Sequence, residues 1–396
     1  MGKFSTGYGQ QCAQLAPLLA EAGHDVALSA FYGVQGSTLG WQDPKSGQSF
    51  RVYGNHLHPY GDDIILGHAS NHMGGDLRAG WVLTLIDVWV YNAAQFPRVN
   101  LACWVPVDHD PLPERVLTFL ETSGAVPIAM SRFGERMMRD AGLEPLYAPH
   151  GIDTGTFKPQ PRADARAALG LPQDAFLIGM VAANKGSGPS RKGWSPGLQA
   201  FAKLRARHED ALLYLHTEVT GACDGTNLPA LTRAVGLPDG AVVHCDQYRL
   251  AAGGYSQEYM ATAYAAMDVL LNPALGEGFG VPIIEAQACG TPVVATAWTS
   301  MLELVGAGWL ADGDKLFTAQ QSWWKEPRVD ELAEYLERCY QLGAKEREEL
   351  RAQARDFALQ YDSRRVFDEH WQPVLESLEE RLAPLVMPSE LITVGA

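Results

Sequence analysis

Along almost its whole length the sequence alternates short runs of apolar, β-branched residues with segments whose apolar residues recur at helical spacing. Such alternation builds βα units, in which parallel strands are covered by helices on both faces. In the first half, strands are expected over 25–32, 80–87, 101–108, 126–130 and 145–149, with helices over 10–23 and 132–142, the latter closed by Gly142 as a C-cap. The stretch "FKPQPRADARAALGLPQ", 157–173, is rich in Pro, Ala and charge and reads as a domain boundary. A second alternating set follows, with strands over 176–182, 211–216, 241–245 and 269–272, helices over 195–207 and 257–267, and a helix opened by Pro282. The segment 329–382 is helical, charged and amphipathic. The expected fold class is α/β, with two Rossmann-like, doubly wound domains facing a central cleft, because ligands of such sheets bind beyond the carboxyl ends of the strands. The expected divisions are 1–157, 158–360 and a helical tail over 361–396. In a doubly wound domain the first strand is central, yet residues 1–4 alone precede the first loop, so the first strand is expected to be missing or truncated.

Composition narrows the chemistry. A chain of 396 residues exceeds one ordinary core, at about 150 residues per domain. Hydrophobic residues at 46% and charged residues at 19% describe a globular protein, and no apolar run approaches the roughly 20 residues that cross a bilayer. The N-terminus lacks a basic segment followed by an apolar one, so a cytoplasmic protein without a transmembrane segment is expected. A net charge of −15 argues against nucleic acid as partner, while leaving room for a local basic site for an anionic small molecule. The six cysteines are scattered, with no C-x-x-C pair and no metal-ligand spacing, and read as reduced thiols.

The stretch "GEGFGVPIIEA", 276–286, sets two carboxylates eight residues apart across a glycine-rich turn. It follows the apolar run Val269, Leu270, Leu271, and Pro282 suits the first turn of a helix. Free N–H groups and the positive end of the helix dipole at such a start suit a phosphate or diphosphate. Carboxylates repel phosphates, so Glu277 on the loop and Glu285, placed in the first helical turn, should accept hydrogen bonds from hydroxyls instead. A diphosphate flanked by two polyols is a nucleotide sugar.

The run "NPALGEGFGVPIIEAQACGTPVVAT", 272–296, resembles the E-x7-E signature of retaining GT-B glycosyltransferases, family 4 above all. Further pieces resemble that family in the same order: "CAQLAPLLAEAGHDVALSA" at 12–30, "PHGIDTGTFKP" at 149–159, "RKGWSPGLQAF" at 191–201 and "YAAMDVLLNP" at 264–273. The resemblance implies that Glu277 bonds the donor sugar and Glu285 the ribose hydroxyls, and that Phe279, Gly280 and Val281 offer backbone to sugar and diphosphate. It implies that Lys192 neutralises the leaving diphosphate, with Arg191 as a second candidate; where the family often has G-R after the first strand of this domain, Asn184 and Lys185 stand here. His109, within Asp108-His109-Asp110 at a strand end, matches the family's sugar-contacting histidine, the alternative being a loop cluster ahead of Pro111 and Pro113. Asp87, Asp108 and Asp110 are acceptor-side candidates.

Gly7 and Gly9, in the loop 5–11, resemble the family's glycine-rich loop near the diphosphate, the alternative being a simple turn into the helix. His216 and His244 read as packed histidines, and Asp246, Gln247 and Tyr248 follow a strand where family members bind the base. The last helix of the family packs back on the first domain, with Trp371 as a possible anchor. The function implied is metal-independent transfer of a sugar from a UDP-, GDP- or ADP-linked donor to an unidentified acceptor, with retention of configuration and no cofactor. A non-catalytic nucleotide-sugar binder and a nucleotide-sugar 2-epimerase are the alternatives. Asp108 and Asp110 also match the D-x-D of metal-dependent GT-A enzymes, a reading that leaves the second Rossmann-like half and the E-x7-E run unexplained. Paired acids also occur in glycoside hydrolases, but there they flank the scissile bond and not a phosphate-type loop.

Overall fold

The computed structural model describes residues 7–31, 35–186 and 190–382. The second half carries a six-stranded, wholly parallel sheet of β8 (Phe176–Val181), β9 (Ala211–His216), β10 (Val242–His244), β11 (Val269–Asn272), β12 (Val293–Thr296) and β13 (Gly308–Ala311). Its order is β10-β9-β8-β11-β12-β13, so the winding reverses between β8 and β11, and a ligand crevice opens at such a point. β8, β9, β11 and β12 are nearly continuous buried runs, as a sheet covered on both faces requires, and the edge strands β10 and β13 are only partly buried.

The first half contains β1 (Ala27–Ser29), β2 (Leu39–Gln42), β3 (Ser49–Tyr53), β4 (Trp81–Leu85), β5 (Asn100–Val105), β6 (Val126–Ala129) and β7 (Leu146–Tyr147). β4 to β7 form one parallel sheet in sequence order, and β1-β3-β2 form a separate three-stranded sheet. Strands expected over 25–32 and 145–149 shrink to three and two residues, the second bounded by Pro145 and Pro149, which have no N–H to give to a ladder. β1 and β4 are each the last strand of their sheets among the described residues, and residues 27–31 and 81–85 line a common cavity of about 220 Å³ between them. Residues 1–4, on which the expected first strand falls, lie outside the described residues.

β12 and β13 were not expected, and two further features join the halves of the chain. No element is expected between 297 and 328, yet β13 is followed by an antiparallel hairpin of β14 (Gly313–Phe317) and β15 (Trp323–Pro327) that reaches to the other domain. Trp323 N–H donates to Asp110 O and Asp110 N–H to Trp323 O, at 3.0 and 3.2 Å. The other feature is the return of the tail, which binds Ile152 to Asp362 in an isolated bridge.

Trp371, 2% exposed, stands edge-on to Trp104 with ring centroids 4.8 Å apart, and Trp104 Nε1 donates to Ala148 O at 2.8 Å. The contact chain continues through His150, 4.3 Å from Trp104, to Phe279, 5.0 Å from His150. An aromatic row thus runs from the tail through the first sheet to the loop after β11. Trp371→Ala should remove this anchor at a cost of about 3 kcal/mol, read as a lower midpoint in urea denaturation; an unchanged midpoint would show that the tail is not held by this ring.

Candidate active site

Three loops at carboxyl ends of strands converge in the cleft. The first follows β11 and ends at Gly280, whose φ of 113° is the left-handed backbone that glycine adopts without strain. Helix Val281–Ala288 starts there with no side-chain cap. The second precedes helix Trp194–Arg205, whose N-cap, Gly193, is also left-handed and also without a side-chain cap. A Cβ on Gly193 would stand 1.9 Å from Pro273 O, so this helix start lies against the beginning of the loop that follows β11. The third loop leaves β5 and carries Asp108, His109 and Asp110.

Two further glycines serve the approach of domains. A Cβ on Gly276 would meet Asp108 O at 2.2 Å, and one on Gly278 would meet Pro106 Cβ at 2.6 Å. The loop of the second domain therefore rides directly on the backbone of the first.

A cluster of charge sits where these loops meet. Lys192 Nζ donates to both Glu277 oxygens at 2.7 and 2.8 Å, and Arg191 Nη1 donates to Glu277 Oε2 at 3.1 Å and Gly276 O at 2.7 Å. The same Nη1 lies 3.3 Å from Asp108 Oδ2, and Asp108 Oδ1 lies 2.6 Å from His109 Nδ1. Thr299 Oγ1 accepts from Glu277 N–H at 3.0 Å, and Ser300 Oγ donates to Glu277 O at 2.9 Å and Phe279 O at 2.5 Å, so the loop is fixed from behind.

The electrostatics follow from burial against pairing. Burial works to raise the Glu277 carboxyl, but the charges of Lys192 and Arg191 outweigh it and hold it below the usual range. Asp108 is likewise kept low against burial, by Arg191 and by its bond to His109. Lys192 is pushed down by burial and by the charge of Arg191, while Arg191 rises, its carboxylate neighbours overcoming burial. Asp87, two residues beyond β4, is pushed up to about 6 by burial and by the charge of Asp108.

Glu285 differs. Helix Val281–Ala288 places it fifth, in the second turn and not the first, where it is buried and accepts from Tyr264 O–H at 2.8 Å. Burial pushes it up to about 7, and its bond from Tyr264 only partly opposes the rise.

With this geometry in place, the chain can be set beside known proteins. Residues 178–341 match the family model described as glycosyl transferases group 1. A D-inositol 3-phosphate glycosyltransferase of Actinosynnema mirum is 35% identical over 153 residues, 38% of this chain and 35% of that protein. The chain thus spans about a third of the length of that curated relative. Among solved structures, sucrose-phosphate synthase from Thermosynechococcus elongatus superposes with a TM-score of 0.71 at 19% identity, covering 95% of this chain and 94% of that one. Anabaena HepE in complex with UDP-glucose superposes with a TM-score of 0.60 at 18% identity, covering 82% and 86%. The fold is GT-B.

Within that fold, Glu277, Lys192, Arg191, Asp108 and His109 come together, and Asp87 stands near Arg191 and Asp108. Asp110 turns away from them, toward Lys315 Nζ at 3.9 Å, so Asp108 and Asp110 face different cations. Phe279 is buried, with its ring against His150 and Tyr361. Gly7 and Gly9 are corrected: they lie in the first turn of helix Gly7–Glu21 and not in a loop, because helical spacing already governs the residues from 7 onward. Ser5 and Thr6 of that expected loop lie outside the described residues. Asn184 is bound to the loop beyond β9, donating to Glu218 O and Thr226 O at 2.9 and 2.7 Å. His216 packs among Tyr214, Tyr255 and Tyr259 and is pushed down to about 4 by burial. Asp246 caps helix Gln247–Ala251.

Sequence reasoning missed Thr299, Ser300, Tyr264 and Thr318. Thr299 and Ser300 lie in "TAWTS", where a hydroxyl pair shows no pattern without the fold. Thr299 also has a φ of 50°, unusual for a branched residue.

An acid whose folded value is raised binds its proton more tightly when folded, so stability falls as pH rises from the unfolded value to the folded one. For Glu285 that window runs from the ordinary 4.5 to about 7. Glu285→Gln keeps an acceptor for Tyr264 and should abolish this contribution, leaving the variant more stable than the parent at pH 8 relative to pH 5, by on the order of 1–3 kcal/mol. Parallel pH-stability curves for parent and variant would refute the buried, raised carboxyl.

Proposed function

We propose that the protein transfers a sugar from a nucleotide diphosphate sugar to an acceptor with retention of anomeric configuration and without a metal ion. What carries this reading is the cluster of Arg191 and Lys192 with Glu277 in the loops that lead into two uncapped helices inside a GT-B cleft. Two cations and two sets of helix-terminal amides form a site for a diphosphate. The match of residues 178–341 to the group 1 family supports the same reading, as does the UDP-glucose complex of the similarly folded HepE.

A diphosphate drawn to Arg191 and Lys192 competes with the Glu277 carboxylate for the same donors. Glu277, released from part of that pairing and already ionised, turns its oxygens to sugar hydroxyls. Glu285, on the helix behind, is the hydrogen-bonding partner for ribose. In the reaction the bond from the anomeric carbon to the diphosphate oxygen breaks, the acceptor oxygen bonds that carbon from the same face, and the acceptor proton passes to the departing phosphate. Lys192 and Arg191 stabilise the charge that develops on it. His109 faces the sugar from the first domain, and Asp87 and Asp108, at the ends of that domain's strands, are placed on the acceptor side. Asp87, pushed up to about 6, exchanges its proton near neutrality and suits an acceptor hydroxyl.

Release of nucleoside diphosphate from UDP, GDP and ADP sugars, measured in EDTA, tests the reading. One donor should turn over, and Glu277→Ala and Lys192→Ala should each lower the rate about 10²–10³-fold. Loss of turnover in EDTA would overturn the metal-free part, and undiminished rates in both variants would overturn the site. Proton resonance of the new anomeric centre reads retention directly.

A further inference from the structure

The hairpin of β14 and β15 lies between both halves of the charge cluster. Along β15, Trp323 pairs with Asp110 of the first domain, while Lys325 N–H donates to Leu275 O, one residue before the glycine that touches Asp108. Ser322 Oγ donates to Pro111 O at 2.5 Å, and Trp324 lies tilted against His109 with centroids 4.9 Å apart. One strand thus holds the loop after β5 and the loop after β11 in register.

At the hairpin's turn stands Thr318. Its hydroxyl donates to Ser322 O at 2.9 Å, and its oxygen accepts from Gln320 N–H at 3.2 Å and lies 3.1 Å from His109 Nε2. The Asp108 carboxylate and the Thr318 hydroxyl stand at the two ring nitrogens, so the imidazole is gripped at both ends, by Asp108 at Nδ1 and by Thr318 at Nε2. His109 is 4% exposed, so its orientation is set by these two bonds and the Trp324 face.

We propose that Thr318 is a positioning residue for His109, and that the β14–β15 hairpin couples the setting of this imidazole to the register of the two domains. The proposal rests on the reading of His109 as a sugar contact, and deepens it. A ring free to rotate about its side-chain torsions would meet the donor sugar in the right pose only part of the time, which lowers turnover more than binding.

The experiment uses the full chain with Thr318→Val, Thr318→Ala and Thr318→Ser. Thr318→Val keeps the shape and removes the hydroxyl, and Thr318→Ala guards against a packing artefact of the added methyl. Two readouts are taken: kcat and KM for the donor, and the ring nitrogen resonances of His109 in protein labelled with ¹⁵N-histidine, assigned through His109→Gln. The expected result is a kcat lowered about tenfold in the Val and Ala variants with KM changed less than about twofold, a displaced Nε2 resonance in both, and recovery of both readouts in the Ser variant. An Nε2 resonance and a kcat equal to the parent's in the Val and Ala variants would overturn the proposal. The resonance readout does not require turnover, so a protein inactive on every donor would overturn the proposed function while the role of Thr318 is still decided by Nε2.

Discussion

The carboxylate of Glu277, 6% exposed and held between Lys192 and Arg191, is the interaction on which the rest of this architecture depends. A buried carboxylate without partners is costly enough to take up a proton instead, and removing one partner of such a pair costs about 3–5 kcal/mol. Here both cations come from the loop before helix Trp194–Arg205, the carboxylate from the loop after β11, and the balancing Asp108 from the other domain. The charges are satisfied only when all three loops are in place. That requirement explains why Gly193, Gly276 and Gly278 have no room for a side chain: each stands where one loop's backbone touches another's.

Much of this was legible in the sequence, and the limits follow from physics. Four strands of the six-stranded sheet were readable, above all β8, β9 and β11, which are buried on both faces and so appear as apolar runs, while β12 and β13 were not expected. Glu277 was readable because the glycines and Pro282 mark a loop feeding a helix, whereas Lys192 and Arg191 came from the resemblance of "RKGWSPGLQAF" to a glycosyltransferase segment. The hairpin was not, because "GDKLFTAQQSWWKEP" mixes charges with aromatics in no period of its own. Its partners are on the other domain, and Asp110 meets Trp323, and His109 meets Thr318, only through the tertiary fold. Gly7 and Gly9 misled in the opposite direction: glycines suggest a loop, but the apolar spacing of helix Gly7–Glu21 extends back through them and wins.

The first domain is built less evenly than the second. Its two sheets end at β1 and β4 with a cavity between, lined on the helix sides by Tyr8, Cys12, Ile65 and His68. Asp87 leaves the end of β4 and Tyr8 lies in the first turn of helix Gly7–Glu21, so both stand at the edges of this gap. The aromatic row Trp371, Trp104, His150, Phe279 crosses at the opposite side of the same sheet and ties it to the second domain.

Glu277 and Glu285 make the same point at the scale of single residues. They are chemically identical and equally exposed, yet Glu277 is held below the usual carboxylate range and Glu285 is raised to about 7. Two cations face the first, and a phenol on an apolar helix face is the partner of the second. In the proposed reaction the acid kept ionised accepts from sugar hydroxyls, and the acid poised near neutrality can take or give a hydrogen bond, as ribose hydroxyls do. Environment, and not residue type, thus sets the two acids apart, and the difference requires that the loop and the helix meet at a backbone as tightly turned as that of Gly280.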